Sequence, residues 1–259
     1  MDALNRTTAP LTVSVVSHGQ AAVVTPLLLE LDALAREFDF ELILTENLPD
    51  AALPLPHLSN LRMRVLRSPV PRGFGENHNR AFREADCRYF CVLNPDARLD
   101  GNPFSTLIDA LPEGQGVAGP RVQGADGGVE DSARHVPTLA ALAGRYLGRR
   151  FEADYDPAVA RQSVDWVAGM CMMFDAATFA RLGGFDERFH LYCEDVDICL
   201  RAHLAGAAVL WVQDARIGHA AQRDSRKRLK YLMWHVCSML RLISSDAYRR
   251  FKRRRVQSS

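Results

Sequence analysis

The feature that most constrains this chain is a change of hydrophobic period that recurs along its first hundred residues. "LTVSVVSH" (11–18) is a β-branched run that ends in small polar residues. "TPLLLELDALAREF" then places Leu27, Leu28, Leu31, Leu34 and Phe38 at helical spacing behind a Thr25–Pro26 start signal. "FELILTE" (40–46) and "LRMRVLR" (61–67) return to strand patterns, "ENHNRAFREA" (76–85) reads as a short helix, and "YFCVLNP" (89–95) is a fourth strand. Repeated strand–helix units predict an α/β domain built on a mostly parallel, twisted sheet flanked by helices.

The second half continues the pattern. "PFSTLIDAL" is a helix, and "QGADGGVEDSARHVP" is rich in glycine and polar residues and reads as a loop. From Ser163 come a strand "SVDWVAGMCMMF", a helix "AATFARLG", a loop "GFDERFHLY", a helix over 194–205 and a strand "AVLWVQDARIGH". No linker or internal repeat interrupts residues 1–222, which form one expected domain. In open α/β sheets ligands gather outside the carboxyl ends of the strands. That rule selects Ser17 and His18, Glu46 and Asn47, Asn94 and Asp96, and His219.

Composition narrows the classes. With 259 residues, 47% of them hydrophobic, the chain can bury a sizeable core. No apolar run approaches 18 residues, and the start lacks a basic n-region followed by an apolar h-region, so a cytoplasmic protein without a spanning helix is expected. The six cysteines form no CxxC pair and mostly sit in apolar stretches, which predicts buried, reduced thiols. Gly114, Gly116 and Gly119 have dinucleotide-fingerprint spacing, but they follow a helix and lead into Pro120 instead of opening one.

Three segments can carry chemistry, and each also has a structural reading: a tight strand-to-helix connection, a Pro-Asp turn and a well-charged first helical turn. "RGFGENHNRAF" (72–82) is a glycine-rich loop entering a helix, where Asn77, Asn79 and backbone amides can meet a polar ligand at the N-terminus. "CVLNPDARL" brings a buried strand into Asn94-Pro95-Asp96, a turn whose oxygens suit a divalent cation that also holds a diphosphate. "HLYCEDVDICLRAHLAG" crowds Glu194, Asp195 and Asp197 into a first helical turn. Helical geometry aligns Glu194, Asp197 and Arg201 on one face and points Asp195 elsewhere. The positive end of the helix favours the ionised form of all three carboxylates.

Together with the opening strand, "RGFGENHNRAF", "VLNPDA", "VDWVAGMCMMF" and "GGFDERFHLYCEDVDICLRAHLAG" resemble, in the same order, the family 2 glycosyltransferases. These are inverting enzymes of the GT-A (nucleotide-diphospho-sugar transferase) fold, and the nearest likeness is to their bacterial rhamnosyltransferase-like branch. The resemblance implies a donor site at Ser17, Glu46, Asn47, Gly73, Asn77, Asn79, Asn94 and Asp96. It also implies Asp195 as base, with Glu194 as its orienting neighbour or alternative, and an acceptor side at Trp166 and Gly169. Mg²⁺ or Mn²⁺ would be held by Asp96 and His219. Two departures stand out: Glu46-Asn47 replaces an Asp-Asn pair, and Asn94 replaces the first Asp of an Asp-x-Asp motif.

The implied activity moves a sugar, rhamnose on the branch's pattern, from a dTDP- or UDP-sugar to a glycan or lipid-linked acceptor in bacterial surface polysaccharide synthesis. The alternative is a nucleotide-sugar-binding protein without turnover. From Arg223 onward twelve Lys/Arg face two Asp/Glu, while the rest of the chain is acidic. Such a tail, a basic amphipathic helix over 223–259, suits peripheral attachment to an anionic membrane face. Nucleic acid is excluded as a partner, because the acidic body lacks interleaved aromatic platforms.

Overall fold

In the computed structural model the described residues are 9–48, 53–112, 115–124, 127–130, 132–137, 154–219 and 229–258. The strand that organises them is β1 (Ala9–Ser17), whose residues 11–17 are all buried. It pairs in parallel with β2 (Glu41–Glu46) on one side and β4 (Cys87–Leu93) on the other, and β2 pairs in parallel with β3 (Arg62–Arg67). Beyond β4 the sheet continues through β10 (Cys171–Asp175), β6 (Gly116–Gln123), β11 (Ala208–His219) and β5 (Ala97–Asp100), with β8 (Arg161–Ser163) also on β11. The expected parallel sheet holds for β3-β2-β1-β4 and for β6 with β11. By contrast, β10, β5 and β8 run antiparallel to their neighbours.

Strand alternation makes two cores, because successive side chains point to opposite faces. Val13, Val15, Cys91 and Leu93 meet α1 (Ala21–Leu34) and α3 (Pro103–Ala110) through Leu27, Leu31, Phe104 and Leu107. Phe90, Val92, Met172 and Phe174 meet the other layer: α2 (Phe74–Glu84), α4 (Ala176–Arg181) and α5 (Glu194–Leu204). Phe174, Phe179 and Phe185 form mutual edge-on contacts there. Each buried ring contributes on the order of 2 kcal/mol from apolar burial.

Three expectations change. Helix α1 begins at Ala21, so Pro26 lies inside it. Proline costs the amide that would bond the Ala22 carbonyl, and Ala22 is exposed, so water can replace that bond. The single strand expected over 163–174 is three: β8, β9 (Trp166–Val167) and β10, each with different partners. Strand β9 leaves the main sheet to pair with β7 (Ala133–Arg134), inside the expected loop, and Ala168 N–H donates to Ser132 O at 2.8 Å.

The tail forms two helices, α6 (Leu229–Ser244) and α7 (Asp246–Ser258). They dock through Met239, Leu242 and the half-buried Phe251 onto Phe189, Cys193, Val196 and Leu200. Cys91, Cys171, Cys193 and Cys199 are buried as expected, whereas Cys87 is half-buried and Cys237 is exposed. Gly114, Arg223, Lys227 and Arg228 lie outside the described residues.

Candidate active site

The carboxyl ends of β1, β2 and β4 meet at one rim. At the end of β1, Gly19 N–H donates to Ser17 Oγ at 3.2 Å, and the Ser17 carbonyl accepts from Asn47 N–H at 2.9 Å. Asn47 then reaches across to residue 72: its Oδ1 accepts from Arg72 N–H and its Nδ2 donates to the Arg72 carbonyl, both at 2.9 Å. Glu46 is buried, with Oε2 on Arg67 and Oε1 accepting Leu53 N–H, each at 2.9 Å. Both residues therefore shape the rim through bonds of their own.

Gly73 precedes α2 where the chain presses on the loop from α4 to α5. A Cβ there would sit 2.8 Å from the His190 carbonyl, which accepts from Phe74 N–H at 2.9 Å. Only glycine permits that approach. Asn77 and Asn79, expected to face a ligand, are turned to the protein instead. Asn77 Nδ2 donates to Gly73 O at 2.9 Å. Asn79 clamps the loop after α4, accepting from Phe185 N–H and donating to Phe185 O, both at 2.8 Å. Both side chains are buried, and Asn77 Oδ1 has no hydrogen-bond partner among the described residues. Between them His78 is buried against Ser14 Oγ at 2.8 Å, and burial lowers its pKa to about 3, so it stays neutral.

The turn Asn94-Pro95-Asp96 is half-buried at the end of β4. Asn94 N–H donates to Met170 O at 2.9 Å, and the preceding residue, Gly169, donates its N–H to Asp195 Oδ2 at 3.0 Å. Two consecutive residues thus tie the candidate metal turn to the candidate base. The ladder of β11 with β5 sets His219 opposite Ala97, beside Asp96. Among the described residues no three His, Cys, Asp or Glu side chains gather into a complete cage. The Asp96 carboxylate still fits a Mg²⁺-like cation, which characteristically shares substrate phosphates and waters.

The crowded carboxylates separate by burial. Asp197 is buried and paired with Arg201 at 2.7 Å, whose other nitrogens bond Leu182 O and Gly184 O. This pair forms on the face where helical geometry aligns Asp197 with Arg201. Glu194 is 5% exposed, and its Oε2 is buried without a hydrogen-bond partner. Burial first, then the Asp195 charge, pushes its pKa up to about 8. The helix N-terminus was expected to keep it ionised; desolvation outweighs that field. Asp195 is half-buried, with Oδ1 accepting Val196 N–H at 2.8 Å. Burial raises its pKa, opposed by the Gly169 and Val196 amides and by the Arg134 charge.

Arg134 was hidden in the expected loop. It pairs across β7 and β9 with Trp166, its guanidinium 5.9 Å from that ring's centre, and Trp166 Nε1 donates to His135 O at 3.1 Å. No periodicity in "SARHVP" could reveal it, because its partners lie about thirty and sixty residues away. On the opposite rim His18 bonds Asn47 Nδ2 at 3.0 Å, and its pKa is lowered by burial and then by His190.

The family profile described as Glycosyl transferase family 2 matches residues 38–178. Rhamnosyltransferase WbbL of Escherichia coli K12 is 28% identical over 243 residues, covering 89% of this chain and 91% of that protein. The N-acetylglucosaminyl-diphospho-decaprenol L-rhamnosyltransferase of Mycobacterium tuberculosis H37Rv is 31% identical over 162 residues, 56% of this chain and 51% of that protein. Among solved structures, mannosyltransferase PcManGT from Pyrobaculum calidifontis, with GDP-Man and Mn²⁺, superposes with a TM-score of 0.60 at 15% identity. That match covers 91% of this chain and 65% of that one. GalNAc-T7 with UDP, GalNAc and Mn²⁺ gives 0.56 at 15%, covering 85% and 45%.

Proposed function

The chain belongs to glycosyl transferase family 2, and from that premise we propose that it is a metal-dependent inverting transferase moving a sugar from a nucleoside-diphosphate donor to a glycan or lipid-linked hydroxyl. The names of its relatives favour rhamnose as the sugar moved and a lipid-diphosphate-linked sugar as acceptor, in bacterial surface polysaccharide synthesis, with a dTDP- or UDP-sugar as donor. The observation that carries the reading is the Asp195 carboxylate, oriented by the Gly169 and Val196 amides beside the metal turn. Asp195 takes the proton of the acceptor hydroxyl as that oxygen attacks the anomeric carbon, and the bond to the diphosphate breaks on the opposite face. Glu194, protonated near neutral pH, is not the base; it lends Asp195 a neutral neighbour.

Asp96 and His219 would hold a Mg²⁺ or Mn²⁺ ion, which would supply Lewis acidity to the diphosphate leaving group. Ser17, Glu46, Asn47 and Asn94 outline the nucleotide rim. Trp166 offers an apolar ring face to the acceptor sugar, and Arg134 a cation beside it. A binder without turnover is not favoured, since the carboxylate pair and its helix are intact. The C-terminal helices, Leu229–Ser244 and Asp246–Ser258, attach to an anionic membrane face from the cytoplasmic side. No described helix is long and apolar enough to cross a membrane.

Thermal denaturation in Mn²⁺ with UDP-, dTDP- and GDP-sugars tests the donor: a ligand at about 100 times its Kd adds about 2.7 kcal/mol. One donor class should raise Tm and release its nucleoside diphosphate when acceptor is added. Absence of both effects with every donor contradicts the proposal.

A further inference from the structure

Helix α6 has two faces with different occupants. Leu232, Met233, Val236, Cys237 and Leu240 make a continuous helical stripe that turns away from the body, with Met233 66% and Leu240 60% exposed. The helix docks on the domain by the opposite side. There Ser238 Oγ donates to Leu191 O at 2.8 Å, His235 stacks on Tyr192 at 5.1 Å and Trp234 lies 4.6 Å from His190. Arg241 bonds the Arg188 carbonyl.

The segment so held is strained. Tyr192 and Cys193 have φ of 73° and 69°, left-handed values that such residues keep only where packing fixes them. Glu194 and Asp195 follow directly. The next helix, α7, presents Arg249, Arg250, Arg253 and Arg254 to solvent. Those exposed cations, on the helix that follows the stripe, match anionic headgroups. A stripe one helix wide suits a helix lying in the plane of a bilayer interface.

Building on the membrane attachment proposed above, we infer that α6 seats its outer stripe in an anionic bilayer surface and that this seating fixes the 188–193 loop, and with it the Glu194–Asp195 pair. Lipid thereby acts on the catalytic loop through the inner face of the same helix.

The test uses the full chain with vesicles of phosphatidylcholine alone or mixed with phosphatidylglycerol, read by co-sedimentation and by amide hydrogen exchange over 188–195. Neither readout involves a sugar donor, so failure here is distinct from failure of the transferase reading. The protein should pellet with anionic vesicles only, and exchange over 188–195 should slow by roughly tenfold, which corresponds to about 1.4 kcal/mol of added local stability. The triple variant Leu232→Asp, Met233→Asp, Leu240→Asp touches no loop contact and should keep its lipid-free exchange pattern while losing vesicle binding. Arg250→Glu with Arg253→Glu should weaken binding by roughly tenfold or more. Pelleting of the triple variant at the wild-type level, or bound protein with unchanged exchange over 188–195, would overturn the inference.

Discussion

Replacing Glu194 by Gln removes one ionisation from a buried site while keeping its volume. In the fold this carboxyl titrates at about 8, against 4.5 as its ordinary value. The folded state therefore holds the proton longer than the unfolded chain, so the group's contribution is fully present below about pH 4.5 and is lost as pH rises through about 8. At about 1.4 kcal/mol per pKa unit, the wild type should lose about 4 kcal/mol between pH 5 and pH 9 that the Gln variant does not lose. The fixed cost of burying an amide in place of an acid cancels when the two pH values are compared. Urea unfolding of both proteins at pH 5 and pH 9 measures this directly. A stability difference between variant and wild type that shifts by less than about 1 kcal/mol over that range would refute the argument that burial holds Glu194 neutral.

Other perturbations separate positioning from binding. Gly184→Ala puts a Cβ 2.4 Å from Asn79 Oδ1 at φ 70°, so a loss of about 1–3 kcal/mol is expected in thermal denaturation; an unchanged Tm contradicts the close approach. Asn79→Ala breaks the clamp on Phe185 and should lower stability by about 1–3 kcal/mol while leaving donor Kd, measured by calorimetry, within about twofold. A large loss of donor affinity would return Asn79 to the ligand. Asp96→Ala should weaken Mn²⁺ and donor binding together, and EDTA should abolish wild-type turnover; full activity in EDTA rejects the metal role of Asp96 and His219.

Much of this architecture was legible because β1 reads as a β-branched run and β2 and β4 as short, largely buried apolar runs, while Leu27, Leu28 and Leu31 of α1 keep helical spacing. The first turn of α5 was equally plain: charge at 194, 195 and 197 with Arg201 one turn on predicts the Asp197 pair that forms. What stayed hidden depends on distant partners. The break at Val164–Asp165 and Ala168–Met170 arises because three adjoining short segments pair with β11, β7 and β4, and no local period encodes that choice. Asn79 looks like a ligand contact until residue 185 arrives, 106 positions later. Ionisation of Glu194 was misjudged because a helix N-terminus is visible in sequence, whereas the depth of burial that overrides it is not.

The central claim, that the carboxylate held by Gly169 and Val196 is the base, is tested most directly by Asp195→Asn. The amide keeps size and polarity but has no basicity, so donor Kd should stay within about twofold while turnover falls by about a hundredfold or more. Sugar transfer by the Asn variant at near the wild-type rate, with the donor and acceptor that the wild type uses, would contradict the account.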